Sequence, residues 1–467
     1  MIPMTIDGKP AVTTETFDVV NPATGAVEAQ APECSIEQLN EAMDAAQRAY
    51  ESSWRTDESA RREALRAVAD AIEAHHDELT ELLILESGKP ATFAHMENQG
   101  APPWWRYYAD MDLPRSVVVD DATAFVEQVY RPLGVVAAIT PWNGPLGLAG
   151  WKIAPALRAG NTVVIKPSPF TPLSTLRLGE IMAGILPPGV VNVVSGGDKI
   201  GAAMTSHPIP RKISFTGSIE AGRHIAVSGI RDFKRITLEM GGNDAAILLD
   251  DIDVEKAVQA LVPLTTMNCG QICAIPKRIF APAALYDQVV DAFTAAYDRI
   301  VVGAPYDEGT QMGPLSTKPQ FDRIKDLVSD AKSAGARVTA GGGPLDGNGY
   351  FFRPTVLADV AEGVRIVDEE QFGPALPILK YDSIDDAVAR ANNTEFGLCG
   401  SAWSSDPDRA AAVAQQLEVG TTFVNAHAIL PPHIPFSGAK ASGLGVSNGL
   451  AGLLGFTEPQ VIHRVRA

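Results

Sequence analysis

Cysteine is scarce in this chain: Cys34, Cys269, Cys273 and Cys399 are the only four among 467 residues. That is no disulfide framework of a small secreted domain, and a chain this long needs none. Cys269 and Cys273 stand four apart with no second Cys or His pair beside them, so no metal site is expected. Positive charge is also short. There are 38 Lys and Arg against 56 Asp and Glu, a formal net charge of −18, which repels a phosphate backbone and argues against a nucleic-acid partner. No apolar run approaches the ~20 residues that cross a bilayer, so no membrane partner is expected. The segment Met1–Lys9 lacks the charged and apolar regions of a secretory signal. A reducing, cytoplasmic setting is the expectation. The glycine-rich G-x-G-x-x-G fingerprint is missing as well.

What is present is an ordinary globular composition, 46% hydrophobic and 20% charged, at a length that suggests two or three domains at roughly 100–200 residues each. Asn21-Pro22-Ala23-Thr24-Gly25 reads as a turn. Helical spacing covers Ser35 to Tyr50, with Ser35 as N-cap, and a longer stretch from Ser59 to Ser87 that Gly88-Lys89-Pro90 stops. From Val129 the pattern changes to short apolar runs: Val135 to Thr140, Thr162 to Lys166, Val190 to Val194, Lys212 to Phe215 and Ile236 to Glu239. Each ends in Gly, Pro or polar residues, and helical patterns such as Leu173 to Ile185 and Ile219 to Ser228 lie between them. This alternation predicts an α/β fold with a covered parallel sheet, whose ligands sit at the carboxyl ends of the strands. A second set follows: strand Ala245 to Leu249, helix Val254 to Thr266, strand Lys277 to Ala281 and helix Leu285 to Ile300.

Several strand ends carry reactive or polar side chains. Gly217, in Phe215-Thr216-Gly217-Ser218, would let a backbone approach a pyrophosphate at a helix N-terminus, although alone it reads equally as a tight turn. Cys273 in isolation reads as a small core residue, and as a nucleophile it needs a local environment that favours the thiolate. Glu239 ends an apolar strand, where burial raises a carboxyl pKa toward the range of a general base. Asn143, just past another strand, would offer an amide to an oxyanion. Lys166 would hold a ribose or a phosphate.

Together these segments resemble the aldehyde dehydrogenase superfamily almost end to end. In family order they are Asn21-Pro22-Ala23-Thr24-Gly25, Pro141-Trp142-Asn143, Lys166-Pro167-Ser168, Phe215-Thr216-Gly217-Ser218, Leu238-Glu239-Met240-Gly241-Gly242, Gly270-Gln271-Ile272-Cys273, Glu370-Gln371-Phe372-Gly373-Pro374, Asn392 to Leu398, and Pro435-Phe436-Ser437-Gly438 with Lys440, Ser442 and Gly443. The resemblance implies a Rossmann-type cofactor domain at 1–111 and 131–241, a second α/β catalytic domain at 242–443, and a small bridging arm at 112–130 and 444–467 that builds homodimers or homotetramers. It implies that Cys273 attacks an aldehyde, that Asn143 and the Cys273 N–H form the oxyanion hole, that hydride loss leaves a thioester, and that Glu239 activates the water that hydrolyses it. NAD is the implied cofactor, with NADP tolerated. Lys166 and Glu370 would contact ribose, Phe372 the nicotinamide side, and Gly217 and Ser218 the pyrophosphate. Ile139, Thr140, Trp142, Ser168, Pro169, Gly196, Gly201, Phe215, Thr216 and Met240 would complete the cofactor lining.

The chain departs from relatives at three places. Pro169 stands where some NAD-preferring relatives carry a ribose-binding Glu. Val446 and Ser447 replace an Arg-Glu pair whose Glu can relay protons. Gly144 and Gly147 replace bulky tunnel residues, which implies a wider path and a bulky or aromatic aldehyde unless Trp104, Trp105, His427 or Leu430 refills it. Two alternatives stand beside hydrolytic oxidation. Glu239 argues against a CoA-acylating enzyme. The joint presence of Cys273, Glu239 and Asn143 argues against a silent, dehydrogenase-like binding protein.

Overall fold

The computed structural model describes residues 1–466; the last residue of the expected bridging segment, Ala467, lies outside them. The apolar runs become strands buried on both faces. Val135–Ile139, Thr162–Lys166 and Lys212–Thr216 have no exposed residue, the pattern of a parallel sheet covered by helices. The first sheet has eight strands in the order Gly443–Leu444, Arg235–Glu239, Lys212–Thr216, Val135–Ile139, Thr162–Lys166, Val191–Val193, Met4–Ile6 and Lys9–Ala11. Its five central strands are parallel, and antiparallel strands extend both edges. The chain runs outward from Val135–Ile139 through two strands, then returns to its other side with Lys212–Thr216. That reversal opens a crevice at the carboxyl ends of these two strands, where an open α/β sheet binds its ligand.

A second sheet of seven strands runs Arg337–Ala340, Thr355–Ala358, Ala375–Tyr381, Pro276–Pro282, Asp244–Leu248, Cys399–Trp403 and Thr421–Val424. It is parallel except at Arg337–Ala340. Only Met240–Asn243 separates Glu239, at the carboxyl end of its strand, from Asp244, which starts a strand of the second sheet. Cys273 precedes Pro276–Pro282 by three residues. The seam therefore joins the carboxyl ends of one sheet to the amino ends of the other. A separate three-stranded antiparallel sheet pairs Ser116–Asp120 and Thr457–Val465 with the two edges of Ala124–Pro132.

The turn at Asn21–Gly25 closes a hairpin between Thr16–Asn21 and Ala26–Pro32. Gly25 takes φ 70°, and a Cβ there would lie 2.4 Å from the Asn348 carbonyl oxygen, so the turn docks closely on that loop. Ser35 caps the Ile36–Glu51 helix in a capping box with Gln38. The single helix expected over Ser59 to Ser87 is two, Glu58–Ala74 and His76–Ser87. His75 breaks it at φ −106° and ψ 23°, and its ring nitrogen meets the Ala71 carbonyl at 2.8 Å. The next helix, Ala91–Asp110, contains Pro102 and Pro103 and was not legible. Each proline removes a ladder hydrogen bond and normally signals a helix end.

Candidate active site

A cleft of about 1250 Å³ opens at the crevice of the first sheet. Ile139, Thr140, Trp142, Asn143, Lys166, Ser168, Pro169, Gly201, Phe215, Thr216, Gly217, Ser218, Met240, Cys273, Glu370 and Phe372 all line it. Gly196 does not line it: its carbonyl accepts from Lys166 Nζ at 2.7 Å, so it supports the lysine from behind. Burial lowers the Lys166 ammonium to about 8, against the pull of Asp198 and Glu33. Gly217 has no room for a side chain, because a Cβ would lie 2.5 Å from the Phe215 ring. Ser218 caps the thirteen-residue helix Ile219–Arg231 by accepting from the Ala221 N–H at 3.2 Å. Trp142 and Phe372 meet edge to face at 5.3 Å across the cleft.

Cys273 lies half-buried on the loop that leads into Pro276–Pro282. Three left-handed residues turn the chain out of the Val254–Thr266 helix: Asn268, Cys269 and Gly270 at φ 49°, 58° and 73°. Only glycine fits the third, since a Cβ would lie 2.4 Å from the Gly373 carbonyl oxygen. No helix begins at Cys273, and burial pushes its thiol up to about 12. Lys277 opposes that shift, while Glu370, Asp244 and Glu239 add to it. The resting thiol is therefore protonated at neutral pH and needs a base.

The Asn143 amide donates to the Gln271 carbonyl at 3.0 Å, and Asn268 donates to the Asn143 carbonyl at 3.1 Å. Gln271 is fully buried and bonds Asn268 and Ser316. Asn143 is thus tied to the loop two residues before the thiol, and its amide nitrogen keeps a second hydrogen for another acceptor. Lys277 Nζ donates to the carbonyls of Ile272 and Cys273 at 2.9 and 2.5 Å and pairs with Glu370 at 3.3 Å. Glu370 also accepts from the Gly242 N–H at 3.1 Å, which anchors it beside the thiol loop.

Glu239 is buried, and burial raises its carboxyl to about 7. A hydrogen bond from Ser447, 2.6 Å to Oε1, and the charge of Lys152 both oppose that rise. Its other oxygen, Oε2, has no partner among the described residues. Lys152 is itself buried and lowered to about 8. It donates to Thr216 at 2.8 Å and lies at the edge of hydrogen-bond range, 3.4 Å, from Ser214. The sequence reading missed Lys152 as part of the site. Its signal was a single charge in the apolar stretch Pro145 to Leu157, since an isolated buried lysine requires a partner.

The four residues proposed to refill the space at Gly144 and Gly147 divide. Trp104 stacks on Trp151 at 4.5 Å, Trp151 meets Phe436 at 5.9 Å, and Leu430 packs in the same cluster as Trp151, Phe436 and Cys273. Trp105 is packed against Gly150, and His427 is buried between Ser401 and Asp244. A Cβ on Gly147 would meet nothing within 4 Å.

The family model described as the aldehyde dehydrogenase family matches residues 10–462. Human mitochondrial aldehyde dehydrogenase is 38% identical, over 97% of this chain and 89% of its own length. An aldehyde dehydrogenase from Bacillus cereus solved with NAD+ superposes with a TM-score of 0.97 at 34% identity, covering 99% of this chain and 96% of that one. A betaine aldehyde dehydrogenase point mutant from Staphylococcus aureus, also solved with NAD+, gives 0.95 at 33% identity, covering 100% and 96%. With nearly the whole chain matched in sequence and fold, the protein belongs to the aldehyde dehydrogenase family, NAD(P)-dependent oxidoreductases that act on aldehydes.

Proposed function

We propose that the chain oxidises a bulky or aromatic aldehyde to the free acid through Cys273, with Asn143 stabilising the oxyanion and Glu239 activating the hydrolytic water. The observation that carries this reading is the meeting of three groups at the seam of the two sheets. Asn143 is bonded to the loop of Cys273 and lines the cleft with it, and Glu239 ends its strand at the same seam, next to the cleft-lining Met240. The thiol gives its proton up to solvent as the sulfur adds to the carbonyl carbon, and the free hydrogen of the Asn143 amide meets the negative oxygen. Loss of hydride from the adduct leaves a thioester on Cys273. Glu239 then accepts a proton from water, which attacks the acyl carbon and releases the acid and the thiol.

The cleft residues fit a nicotinamide dinucleotide, which supplies the hydride acceptor when bound. The Thr140 hydroxyl is buried there without a partner among the described residues, Gly217 admits close backbone approach, and a helix opens with Ser218. Lys166, Glu370 and Phe372 would hold it. Asp198 and Glu33 act on Lys166, which favours NAD over a cofactor with an added phosphate, although Pro169 leaves NADP tolerated. The open space at Gly147 supports a bulky substrate. Exposed Val117, Val118, Val461 and Val465 on the three-stranded sheet support a homodimer or homotetramer built through that arm. Product analysis with and without CoA tests the reading: free acid at the same rate in both supports it, and acyl-CoA as the product overturns it.

A further inference from the structure

Ser447 stands 208 residues from Glu239 in sequence, yet its hydroxyl donates to Glu239 Oε1 at 2.6 Å. The topology brings the two together. Gly443 pairs with Glu239 in the first sheet, and the chain leaving that edge strand returns over the carboxylate four residues later. Ser447 is then pinned on both sides of its backbone. Its N–H donates to the Phe436 carbonyl at 2.7 Å, and its carbonyl accepts from the Phe436 N–H at 2.8 Å. Gly452 closes on it from the next turn, where a Cβ would lie 2.7 Å from the Ser447 carbonyl carbon. Phe436 in turn packs in the cluster that holds Cys273 and meets Trp151 at 5.9 Å. One short bridge therefore ties the wall beside the thiol to the carboxylate.

A carboxylate with two equivalent oxygens on a flexible side chain is a poorly aimed base. Here one oxygen is held by a hydroxyl on a locked backbone, and the other is buried without a partner among the described residues. We propose that Ser447 is the positioning residue of Glu239: its hydroxyl holds Oε1 and leaves Oε2 as the one oxygen that takes the proton of the hydrolytic water. This rests on the reading of Glu239 as the base. The titratable groups that bear on Glu239 are Lys152 on the Pro145–Arg158 helix, Cys273 on its loop, and Cys399 at the start of its strand. None of them holds Oε1 by a hydrogen bond, so the tether belongs to Ser447.

The test compares S447A, S447C and S447T with the native chain over pH 5–9, reading steady-state kcat, kcat/KM, the rate of the first-turnover NADH burst, and Tm. Losing a hydrogen bond to the ionised form moves the acid limb of kcat upward, by about one pH unit in S447A. At pH 7 kcat then falls roughly five- to tenfold, while the burst and kcat/KM are unchanged, because only the second half-reaction uses the tether. S447T restores the native limb, and the weaker donor of S447C falls between. A purely structural role would lower Tm and slow the burst without moving the limb. An unmoved acid limb in S447A overturns the inference, as does S447T behaving like S447A at native Tm. E239Q separates the two readings. If E239Q hydrolyses at the native rate, Glu239 is not the base. If E239Q blocks hydrolysis while S447A keeps the native limb, only the tether fails.

Discussion

Replacing Glu239 with Gln removes the proton acceptor and keeps the shape of the side chain, including an oxygen to receive the Ser447 hydroxyl. Its effect on activity and on stability should have opposite signs. A positioned general base contributes about 10²- to 10⁴-fold, so hydrolysis should slow by about 100-fold or more. The NADH burst should persist at about one equivalent per chain, because forming the thioester does not use this base. Stability follows from the raised carboxyl. The folded chain holds the Glu239 proton up to about 7, while an unperturbed glutamate releases it near 4.5. The stabilising contribution of this shift is therefore full below pH 4.5 and is lost as pH rises through about 7. Above pH 7 the buried charge costs at most about 3 kcal/mol relative to low pH. That is an upper figure, because Lys152 loses its counter-charge in the variant. E239Q should thus match or exceed the native Tm at pH 8 while turning over far more slowly. Stopped-flow NADH fluorescence and a thermal melt at pH 5 and pH 8 measure both. Native-rate turnover in E239Q, or an equal loss of Tm at both pH values, would refute the reasoning.

Two further perturbations probe the surroundings. K152M leaves Glu239 without its buried counter-charge, so its carboxyl should rise further and the acid limb of kcat should move upward by about one pH unit; a pH-rate profile that stays in place would contradict the pairing. G147F should fill the open space found there and lower kcat/KM for an aromatic aldehyde at least about tenfold relative to acetaldehyde, since pocket volume discriminates by roughly 1–3 kcal/mol per misfit group. An unchanged ratio over a panel of short, long and aromatic aldehydes would remove Gly147 from the substrate path.

Much of the fold was legible because parallel strands announce themselves as short apolar runs. Thr162–Lys166 came out at the expected bounds, and Lys212–Thr216 and Arg235–Glu239 within one residue. Their polar ends carried Lys166, Thr216 and Glu239 to the carboxyl edge of the sheet for the same reason. The illegible parts depend on three-dimensional return. Ser447 meets Glu239 only because a two-residue edge strand brings the chain back, and Lys152 meets it only because the Pro145–Arg158 helix packs over the sheet. The raised thiol was equally hidden, since it follows first from burial and then from the carboxyls of Glu370, Asp244 and Glu239, which come from separate segments. Gly196, expected in the cofactor lining, instead offers its carbonyl to Lys166.

The most direct test of the central claim is NADH formation by the native chain and by C273A, side by side, over short, long and aromatic aldehydes. The account predicts turnover in the native chain with free acid as product, and no NADH, not even a first-turnover burst, in C273A folded to the native Tm. NADH formation that survives in C273A at a comparable rate would contradict the thiol mechanism.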